Sequence, residues 1–332
     1  MGRSLMTTPT RLDVAIVRWA GRIEELAADL PDLASTDFSA RRVAEKTLSD
    51  EVAREFTAPA APEVTVSAVE IPVARTAPIR ARLYRPEHLL GSAPTQVFLH
   101  GGGFVSGTVD ELINDRLLTF RARAADIQIL SIEYRLAPEH PYPAAVDDVL
   151  AVLTALRDNP GFLSVDATRV GVGGASAGAS IAASVALRVR ADGGFALLHQ
   201  ALEVPALALR PMGESAALYA RGYGLDGYEQ LGALYLPDPS PPDAYAEPAL
   251  LTDPMDLRGL PETWIQVAEH DPLRDAALTF AESLRRANVP VTVEVGEGHV
   301  HGSPGLTAVF EPARRWQRHL AATLRRAYHP TT

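Results

Sequence analysis

The sequence contains no cysteine among its 332 residues. This absence excludes disulfide bonds, thiolate metal ligands and a cysteine nucleophile, and nothing ties the chain to an oxidising compartment. Also missing is an uninterrupted apolar run of about 18 residues, the length that a membrane-spanning helix needs. Because 47% of the residues are hydrophobic and 22% are charged, the composition is typical of a globular protein.

Clusters of positive charge are missing as well. The chain has 31 Lys and Arg residues against 41 Asp and Glu residues, which gives a formal net charge of -10. Proteins that bind nucleic acid or an anionic membrane neutralise phosphates with clustered Lys and Arg. We therefore expect a small molecule as the partner of this protein, and neither nucleic acid nor a membrane.

The first 60 residues predict amphipathic helices, because apolar and charged side chains recur there at helical spacing. The apolar positions near the start are Val14, Ile16, Val17, Ala20, Ile23 and Leu26, and the charged residues Arg18, Arg22, Glu24 and Glu25 interrupt them. A secretory signal would require a continuous apolar stretch at this place, so we expect a cytoplasmic protein. The Pro-rich run at residues 58–62 ends the helical pattern.

After that run, short β-rich segments alternate with segments of helical periodicity. The β-rich segments include residues 64–66, 79–84, 96–99, 127–132, 170–172, 264–267 and 289–295, and the helical ones are residues 144–156, 177–190, 276–287 and 311–328. This alternation predicts an α/β fold with a mostly parallel sheet covered by helices on both faces. We assign residues 61–204 and 251–332 to the catalytic core. Residues 1–60 and the irregular, Pro-rich segment 205–250 are expected to form a cap over the carboxyl edge of the sheet.

A G-x-S-x-G motif, Gly174-Ala175-Ser176-Ala177-Gly178, lies between a predicted strand and a predicted helix. Small residues two positions before and after the serine allow a sharp strand-to-helix turn. Such a turn raises the serine hydroxyl above the sheet at a helix N-terminus, whose partial positive charge favours a developing oxyanion. Ser176 is therefore the candidate nucleophile, while the motif taken alone also fits an ordinary Gly-rich connection.

A second motif, His100-Gly101-Gly102-Gly103-Phe104, directly follows a predicted strand. Three successive glycines cost backbone entropy, which is justified where another group must approach the main chain closely. The functional interpretation is an oxyanion hole formed by the N–H groups of Gly102, Gly103 and Ala177. The structural interpretation is a flexible loop.

A serine hydroxyl is a weak nucleophile, so it needs a base and a carboxylate that orients the base. Of the nine histidines, His88, His199, His319 and His329 have no motif around them. His301, in the pair His299-Val300-His301, follows a predicted strand and is the candidate base. The pair could also bind a metal, but no further ligand motif completes a set, so we expect neither a metal nor a cofactor.

Asp271 is the candidate carboxylate, because it follows the predicted strand at residues 264–267. It could also cap the next helix, with Pro272 at the first helical position, and the two roles are compatible. The order Ser176, Asp271, His301 matches the order of nucleophile, acid and base in α/β hydrolases.

Four blocks of sequence together resemble the hormone-sensitive-lipase-like family of α/β-hydrolase esterases, known in bacteria as family IV. They are residues 100–104, the long block from Tyr134 to Ala145 (YRLAPEHPYPAA), the turn around Ser176, and Asp271-Pro272-Leu273-Arg274-Asp275 together with Val300-His301-Gly302. The block at residues 134–145 is the most specific, and the resemblance covers roughly residues 95–305.

The resemblance implies a serine carboxylesterase with the triad Ser176, Asp271 and His301. It also implies short to medium acyl substrates, no cofactor, and a homodimer as in many relatives. Arg135, Glu139 and His140 would then brace the oxyanion loop without taking part in the chemistry.

The sequence departs from the family pattern at two positions. Ala175 stands where the family usually has an acidic residue, and Ser303 where it usually has a large apolar one. Other reactions of the same triad stay open, namely acyl transfer and lactone or amide hydrolysis. A non-catalytic receptor, like the plant gibberellin receptor of this superfamily, would lack the histidine that this chain retains at position 301.

Overall fold

Eight strands form one continuous sheet in the computed structural model, which describes residues 12–74, 77–194, 196–237 and 245–330. The strands are β1 (Val64–Ile71), β2 (Ile79–Pro86), β3 (Ala93–Leu99), β4 (Gln128–Ile132), β5 (Val165–Ala175), β6 (His199–Glu203), β7 (Glu262–His270) and β8 (Val291–Val300). Their order across the sheet is β1-β2-β4-β3-β5-β6-β7-β8. Strand β2 runs antiparallel to both β1 and β4, and all other neighbours are parallel. The mostly parallel sheet that the alternation predicts is therefore confirmed.

Burial along the strands follows their place in the sheet. Every residue of β3, β4 and β6 is buried, whereas the edge strands β1 and β8 mix exposed and buried positions. A parallel strand covered on both faces must be apolar throughout or satisfy its polar groups internally. Strand β6 (HQALE) is buried without a β-branched residue, which is why its sequence did not predict a strand.

Ten α-helices lie in the described part of the chain. They are α1 (Val14–Ala28), α2 (Phe38–Phe56), α3 (Leu112–Ala125), α4 (Ala144–Asp158), α5 (Ala177–Asp192), α6 (Gly213–Leu218), α7 (Tyr228–Tyr235), α8 (Pro254–Leu257), α9 (Arg274–Arg286) and α10 (Glu311–Tyr328). Short 3-10 helices lie at Pro31–Ala34, Pro160–Leu163, Pro248–Leu250 and Ser303–Gly305. None of these helices has the length and apolar character needed to cross a bilayer.

Two apolar clusters cover the two faces of the sheet. On one face α4, α5 and α9 contribute Val149, Ile181 and Phe280 to the larger cluster. On the other face Leu118 of α3 and Leu324 of α10 belong to the smaller cluster. Buried apolar area contributes roughly 25 cal/mol per Å², so these two layers supply most of the free energy that holds the sheet in place.

The helices of the two expected cap segments pack near the carboxyl ends of the strands. A third apolar cluster joins Ile16 of α1 and Phe56 of α2 to Val300 and Leu306, which lie at and beyond the end of β8. Helices α6 and α7 belong to the segment 205–250, which is otherwise irregular. Residues 1–11 and 238–244 of the expected cap lie outside the described residues.

Candidate active site

Ser176 lies at the turn between β5 and α5, with backbone angles φ of 54° and ψ of -118°. A non-glycine residue with such angles is strained, and strain of this kind persists only where the surrounding structure holds the backbone in place. Here the serine N–H donates to the Glu203 carbonyl oxygen at 2.8 Å. The serine carbonyl oxygen accepts from the N–H of Ser180 and so begins helix α5.

The two glycines of the motif are required by shape. A Cβ atom at Gly178 would lie 2.1 Å from the Leu99 carbonyl oxygen, and one at Gly174 would lie 2.7 Å from the same atom. Both distances are far shorter than a van der Waals contact. The turn can therefore approach the end of β3 only because both residues lack a side chain.

The structure brings Ser176, His301 and Asp271 together although they come from three separate strand ends. The His301 Nε2 and Ser176 Oγ atoms are 2.8 Å apart, and the His301 Nδ1 and Asp271 Oδ2 atoms are also 2.8 Å apart. Asp271 is 1% exposed, and its other carboxylate oxygen accepts the Leu273 N–H at 2.9 Å. These are the contacts that a nucleophile, a base and an orienting acid require.

The turn that carries His301 is held by a buried hydroxyl group. Strand β8 runs to Val300, further than the predicted end at Val295, because Gly296 and Val300 still pair with Ala268 and His270 of β7 across an irregularity in the register. Ser303 Oγ accepts the Val300 N–H at 3.1 Å, donates to the Val300 carbonyl oxygen at 2.9 Å, and lies 2.7 Å from His299 Nδ1. The serine that departs from the family pattern thus fastens the turn through hydrogen bonds.

The glycine loop after β3 has the backbone shape of an anion-binding turn. Gly102 and Gly103 have φ angles of 128° and 60°, and a Cβ atom on Gly102 would lie 2.1 Å from the Ser106 carbonyl oxygen. The N–H groups of Gly102, Gly103 and Ala177 donate to no acceptor among the described residues. Unpaired N–H groups beside a nucleophile are suited to receive an oxyanion.

The block at residues 134–145, which follows β4, contacts this loop, as the resemblance implies. Tyr134 stacks on the His100 ring at 4.3 Å between ring centres and donates its hydroxyl to the His100 carbonyl oxygen at 2.7 Å. Burial lowers the pKa of His100, which keeps its ring neutral at pH 7. Two further residues of the block, Arg135 and Glu139, form ion pairs with Asp148 and Arg42.

Sequence reasoning missed Arg42 of helix α2. Its guanidinium donates to both carboxylate oxygens of Glu139, at 2.9 and 2.6 Å, and to the carbonyl oxygens of Val105 and Ala137. Hydrogen bonds from Arg42 lower the pKa of Glu139. Because Val105 follows the glycine loop, Arg42 connects that loop to helix α2 and to the block that contains Glu139.

Sequence reasoning also missed a buried ion pair beside Ser176. Glu203, which is the register partner of Ala175 on the neighbouring strand, accepts two hydrogen bonds from Arg121 at 2.6 and 2.9 Å. The Trp316 indole N–H donates to the same carboxylate at 3.1 Å. The side chains of Arg121 and Glu203 are only 3% and 5% exposed. An acidic residue is therefore present one strand away from the position where the family pattern places it.

Two cavities of unequal size meet at Ser176. A small cavity of about 30 Å³ lies between Ser176 and the apolar side chains Leu209, Tyr228 and Leu231. A larger cavity of about 420 Å³ extends from Ser176 and His301 towards α2 and α3. The described residues contain no group of three or more His, Asp or Glu side chains arranged to bind a metal ion.

One carboxyl group in the larger cavity has a perturbed pKa. Burial, followed by repulsion from Asp50, raises the pKa of Glu111 to about 7. Glu111 is therefore partly protonated at neutral pH. It lines the larger cavity together with Glu45 and Ser49, on the side formed by α2 and the start of α3.

The sheet order, the strained serine turn and the Ser–His–Asp contacts define an α/β hydrolase. Residues 96–304 match the protein family described as alpha/beta hydrolase fold. The curated protein Esterase LipI of Mycobacterium tuberculosis is 35% identical over 252 residues, which are 71% of this chain and 74% of the relative. Carboxylesterase NlhH of the same species is 36% identical over 256 residues, which are 76% of this chain and 79% of the relative.

Solved structures show the same similarity over nearly the whole chain. An esterase of Pyrobaculum calidifontis superposes with a TM-score of 0.80 at 30% identity, covering 95% of this chain and 98% of the other. Esterase LipW of Mycobacterium marinum gives a TM-score of 0.77 at 29% identity, covering 98% and 100%.

The chain belongs to the α/β-hydrolase fold family, and its resemblance to the hormone-sensitive-lipase-like esterases is confirmed. It is an enzyme of the carboxylic ester hydrolase class, the class that the names of these relatives denote.

Proposed function

We propose that this enzyme is a carboxylesterase that hydrolyses short to medium acyl esters through the triad Ser176, His301 and Asp271. The observation that carries the proposal is the continuous chain of contacts from Ser176 Oγ through the His301 ring to the Asp271 carboxylate. Because Asp271 accepts from Nδ1–H, the imidazole presents an unprotonated Nε2 to the serine, which is the tautomer that a general base needs.

In the proposed first step, Ser176 Oγ attacks the ester carbonyl carbon while its proton passes to His301 Nε2. The negative charge that develops on the carbonyl oxygen is stabilised by the N–H groups of Gly102, Gly103 and Ala177. One such donor is worth about 3–4 kcal/mol in the transition state. Collapse of this intermediate breaks the ester C–O bond, and the departing alcohol takes the proton from His301.

In the second step, water replaces the alcohol. His301 Nε2 removes a proton from the water as its oxygen attacks the acyl carbon, and the proton then returns to Ser176 Oγ. The products are a carboxylic acid and the free enzyme. Throughout, Asp271 stays ionised and stabilises the imidazolium that forms beside it.

The unequal cavities support a limit on acyl length. The cavity of about 30 Å³, lined by Leu209 and Leu231, favours an acyl chain of limited length, whereas the cavity of about 420 Å³ leaves room for a larger group. We propose that the short acyl chain occupies the small cavity and that the alcohol portion occupies the large one.

The test is hydrolysis of p-nitrophenyl esters from acetate to dodecanoate by the wild type and by Ser176→Ala. Loss of the nucleophile in such a triad lowers turnover by about a million-fold. We expect wild-type activity to be confined to the shorter acyl chains and to be absent in the variant. Equal and negligible rates in both proteins would reject the esterase and favour a ligand receptor on the same fold. Full activity towards dodecanoate would reject the proposed acyl limit alone.

A further inference from the structure

A third cavity, distinct from the two at Ser176, lies between helices α3 and α10 and the segment 58–62. Its volume is about 300 Å³, which is at the lower end of the range for small-molecule sites. Four arginines line it, and no acidic residue is among the described residues of its wall. These arginines are Arg116, Arg123, Arg314 and Arg318. We call this cavity the arginine pocket.

The positive charge of the arginine pocket is only partly compensated. Arg314 and Arg318 share one carboxylate, that of Glu311. Arg123 pairs with Glu63 at 3.1 Å, and both side chains are about half exposed or more, so water screens the pair. The pocket therefore attracts anions, in a protein whose formal net charge is -10.

Arg116 contributes a cation without a carboxylate partner among the described residues. Its guanidinium donates to the backbone carbonyl oxygens of Ala53 and Thr57 at the end of α2. Burial and the nearby charge of Arg54 lower its pKa. An anion in the pocket would offset this lowering of the pKa, because it supplies the opposite charge that the surrounding residues do not.

Apart from Thr307 and Gln317, the remainder of the wall is apolar. Leu117 and Phe120 of α3 line the cavity together with Pro59 and Pro62. A fully hydrated inorganic anion would leave these side chains unused, whereas an anion with an alkyl tail would cover them and gain about 0.8 kcal/mol for each CH₂ group that it buries. Positive charge and apolar surface in one wall together fit an amphipathic anion.

The arginine pocket adjoins the large catalytic cavity. Leu117 and Gln317 line both cavities and form the partition between them. Gln317 accepts from Arg121 Nε at 2.8 Å and donates to the Pro304 carbonyl oxygen at 3.0 Å, so the partition is fixed by hydrogen bonds. A ligand in the arginine pocket would be separated from the catalytic cavity by one layer of side chains.

We propose that the arginine pocket binds a carboxylate anion with a short alkyl tail, which is the chemical class of acid released by ester hydrolysis. The identification with a reaction product rests on the proposed function, whereas binding of the anion does not. The guanidinium groups pair with the carboxylate, and the tail lies on Leu117 and Phe120.

The test is isothermal titration calorimetry of sodium hexanoate into Ser176→Ala, which cannot turn over an ester by the proposed route. The comparison protein carries Arg123→Gln and Arg318→Gln in addition. Each of these two arginines makes only exposed ion pairs, so the fold should persist, and thermal unfolding checks that it does. Arg325→Gln, on the same helix α10 but outside the pocket, is the matched control.

We expect one hexanoate to bind per chain, with an affinity that falls as salt is added. The Kd should rise about three- to ten-fold in the double variant and stay unchanged in the control. Acetate and 1-hexanol, which lack the tail and the charge respectively, should each bind more weakly than hexanoate.

Equal hexanoate affinity with and without the two arginines would overturn the proposal, because the anion would then occupy another site. The proposal would also be overturned if 1-hexanol or acetate bound as tightly as hexanoate. If wild type shows no esterase activity but the arginine-dependent binding is observed, the anion site stands and only its identification with a product falls.

Discussion

The two turns that carry Ser176 and His301 are held in different ways. The serine turn, residues 174–178, is fixed by shape, because the Leu99 carbonyl oxygen fills the space where side chains of Gly174 and Gly178 would lie. The histidine turn, residues 299–303, is fixed by hydrogen bonds that converge on the buried Ser303 hydroxyl. Steric overlap excludes other conformations of the serine turn, whereas hydrogen bonds stabilise the observed conformation of the histidine turn.

This difference has a physical consequence. Steric overlap does not depend on pH and rises steeply with any added atom, so the serine turn should tolerate no substitution at its glycines. Hydrogen bonds to a hydroxyl and an imidazole are each worth about 1 kcal/mol and depend on protonation, so the histidine turn should respond gradually to mutation and to acid.

The largest effect is expected for Gly178→Ala. The added methyl group would lie 2.1 Å from the Leu99 carbonyl oxygen and 2.4 Å from that of His100, so the turn must move. We expect a loss of more than about 4 kcal/mol in the free energy of unfolding, or failure to fold, measured by urea denaturation. Gly21→Ala is the control, because nothing lies within 4 Å on helix α1 and the change should stabilise by up to about 1 kcal/mol. Similar small effects in both variants would refute fixation by shape.

A smaller effect is expected for Ser303→Ala. The variant leaves the buried Val300 N–H without its acceptor, which should cost about 1–3 kcal/mol in unfolding free energy. Because His301 follows Val300 directly, kcat should fall while KM changes little.

Ser180→Ala is the control, because it removes a buried hydroxyl that has no partner among the described residues. It should leave the unfolding free energy and kcat nearly unchanged. Equal responses in the two serine variants would show that the Ser303 hydrogen bonds do not hold the turn.

Acid should loosen the histidine turn. Burial lowers the pKa of His299 to about 4, below its ordinary value near 6.5. The unfolded chain therefore binds more protons at intermediate pH, and stability is lost as the pH falls from about 6.5 towards 4. By pH 4.5 the loss from this one residue should be on the order of 2 kcal/mol.

The measurement is urea denaturation of wild type and His299→Gln between pH 7 and pH 4.5. Burial also lowers the pKa of His199 to about 4, so the variant should keep part of the acid sensitivity and show a shallower slope. Parallel slopes in the two proteins would contradict a buried, neutral His299.

The smallest effect on stability is expected for Glu139→Ala. Its ion pair with Arg42 is partly exposed, and such pairs contribute about 0.2–1 kcal/mol. Activity should nevertheless fall several-fold, because Arg42 loses the partner that orients it towards the Val105 carbonyl oxygen beside the glycine loop. Ester hydrolysis and the melting temperature are measured together. Full activity with an unchanged melting temperature would show that Glu139 does not brace the loop.

The serine turn could be predicted from sequence because its constraint is local. Two glycines at a fixed distance from Ser176, between a β-rich and a helical segment, are enough to predict this turn. The sequence predicts that Asp271 and His301 lie near Ser176 for a related reason, since each follows a strand and parallel strands end at the same edge of the sheet. The contacts among Ser176, His301 and Asp271 could therefore be expected without knowledge of side-chain packing.

The supporting residues could not be predicted because their partners are remote in sequence. Arg42 contacts residues more than 60 positions away, and Arg121 contacts Glu203, which is 82 positions away. Nothing around either arginine distinguishes it from an ordinary helix-surface cation. Ser303 was noted only as a departure from the family pattern, because its hydrogen bonds depend on a turn whose start the sequence placed five residues too early.

The contacts of Arg42 bear on how this enzyme could be recombined with its relatives. Helices α1 and α2 precede the sheet, and a chimera that exchanged them would look like the replacement of an independent module. Yet one arginine on α2 hydrogen-bonds to the carbonyl oxygens of Val105 and Ala137. A segment from a relative that lacks a matching cation would leave both carbonyl groups without this hydrogen-bond donor. In a set of chimeras, the first crossover point therefore belongs after residue 56, with position 42 kept as arginine.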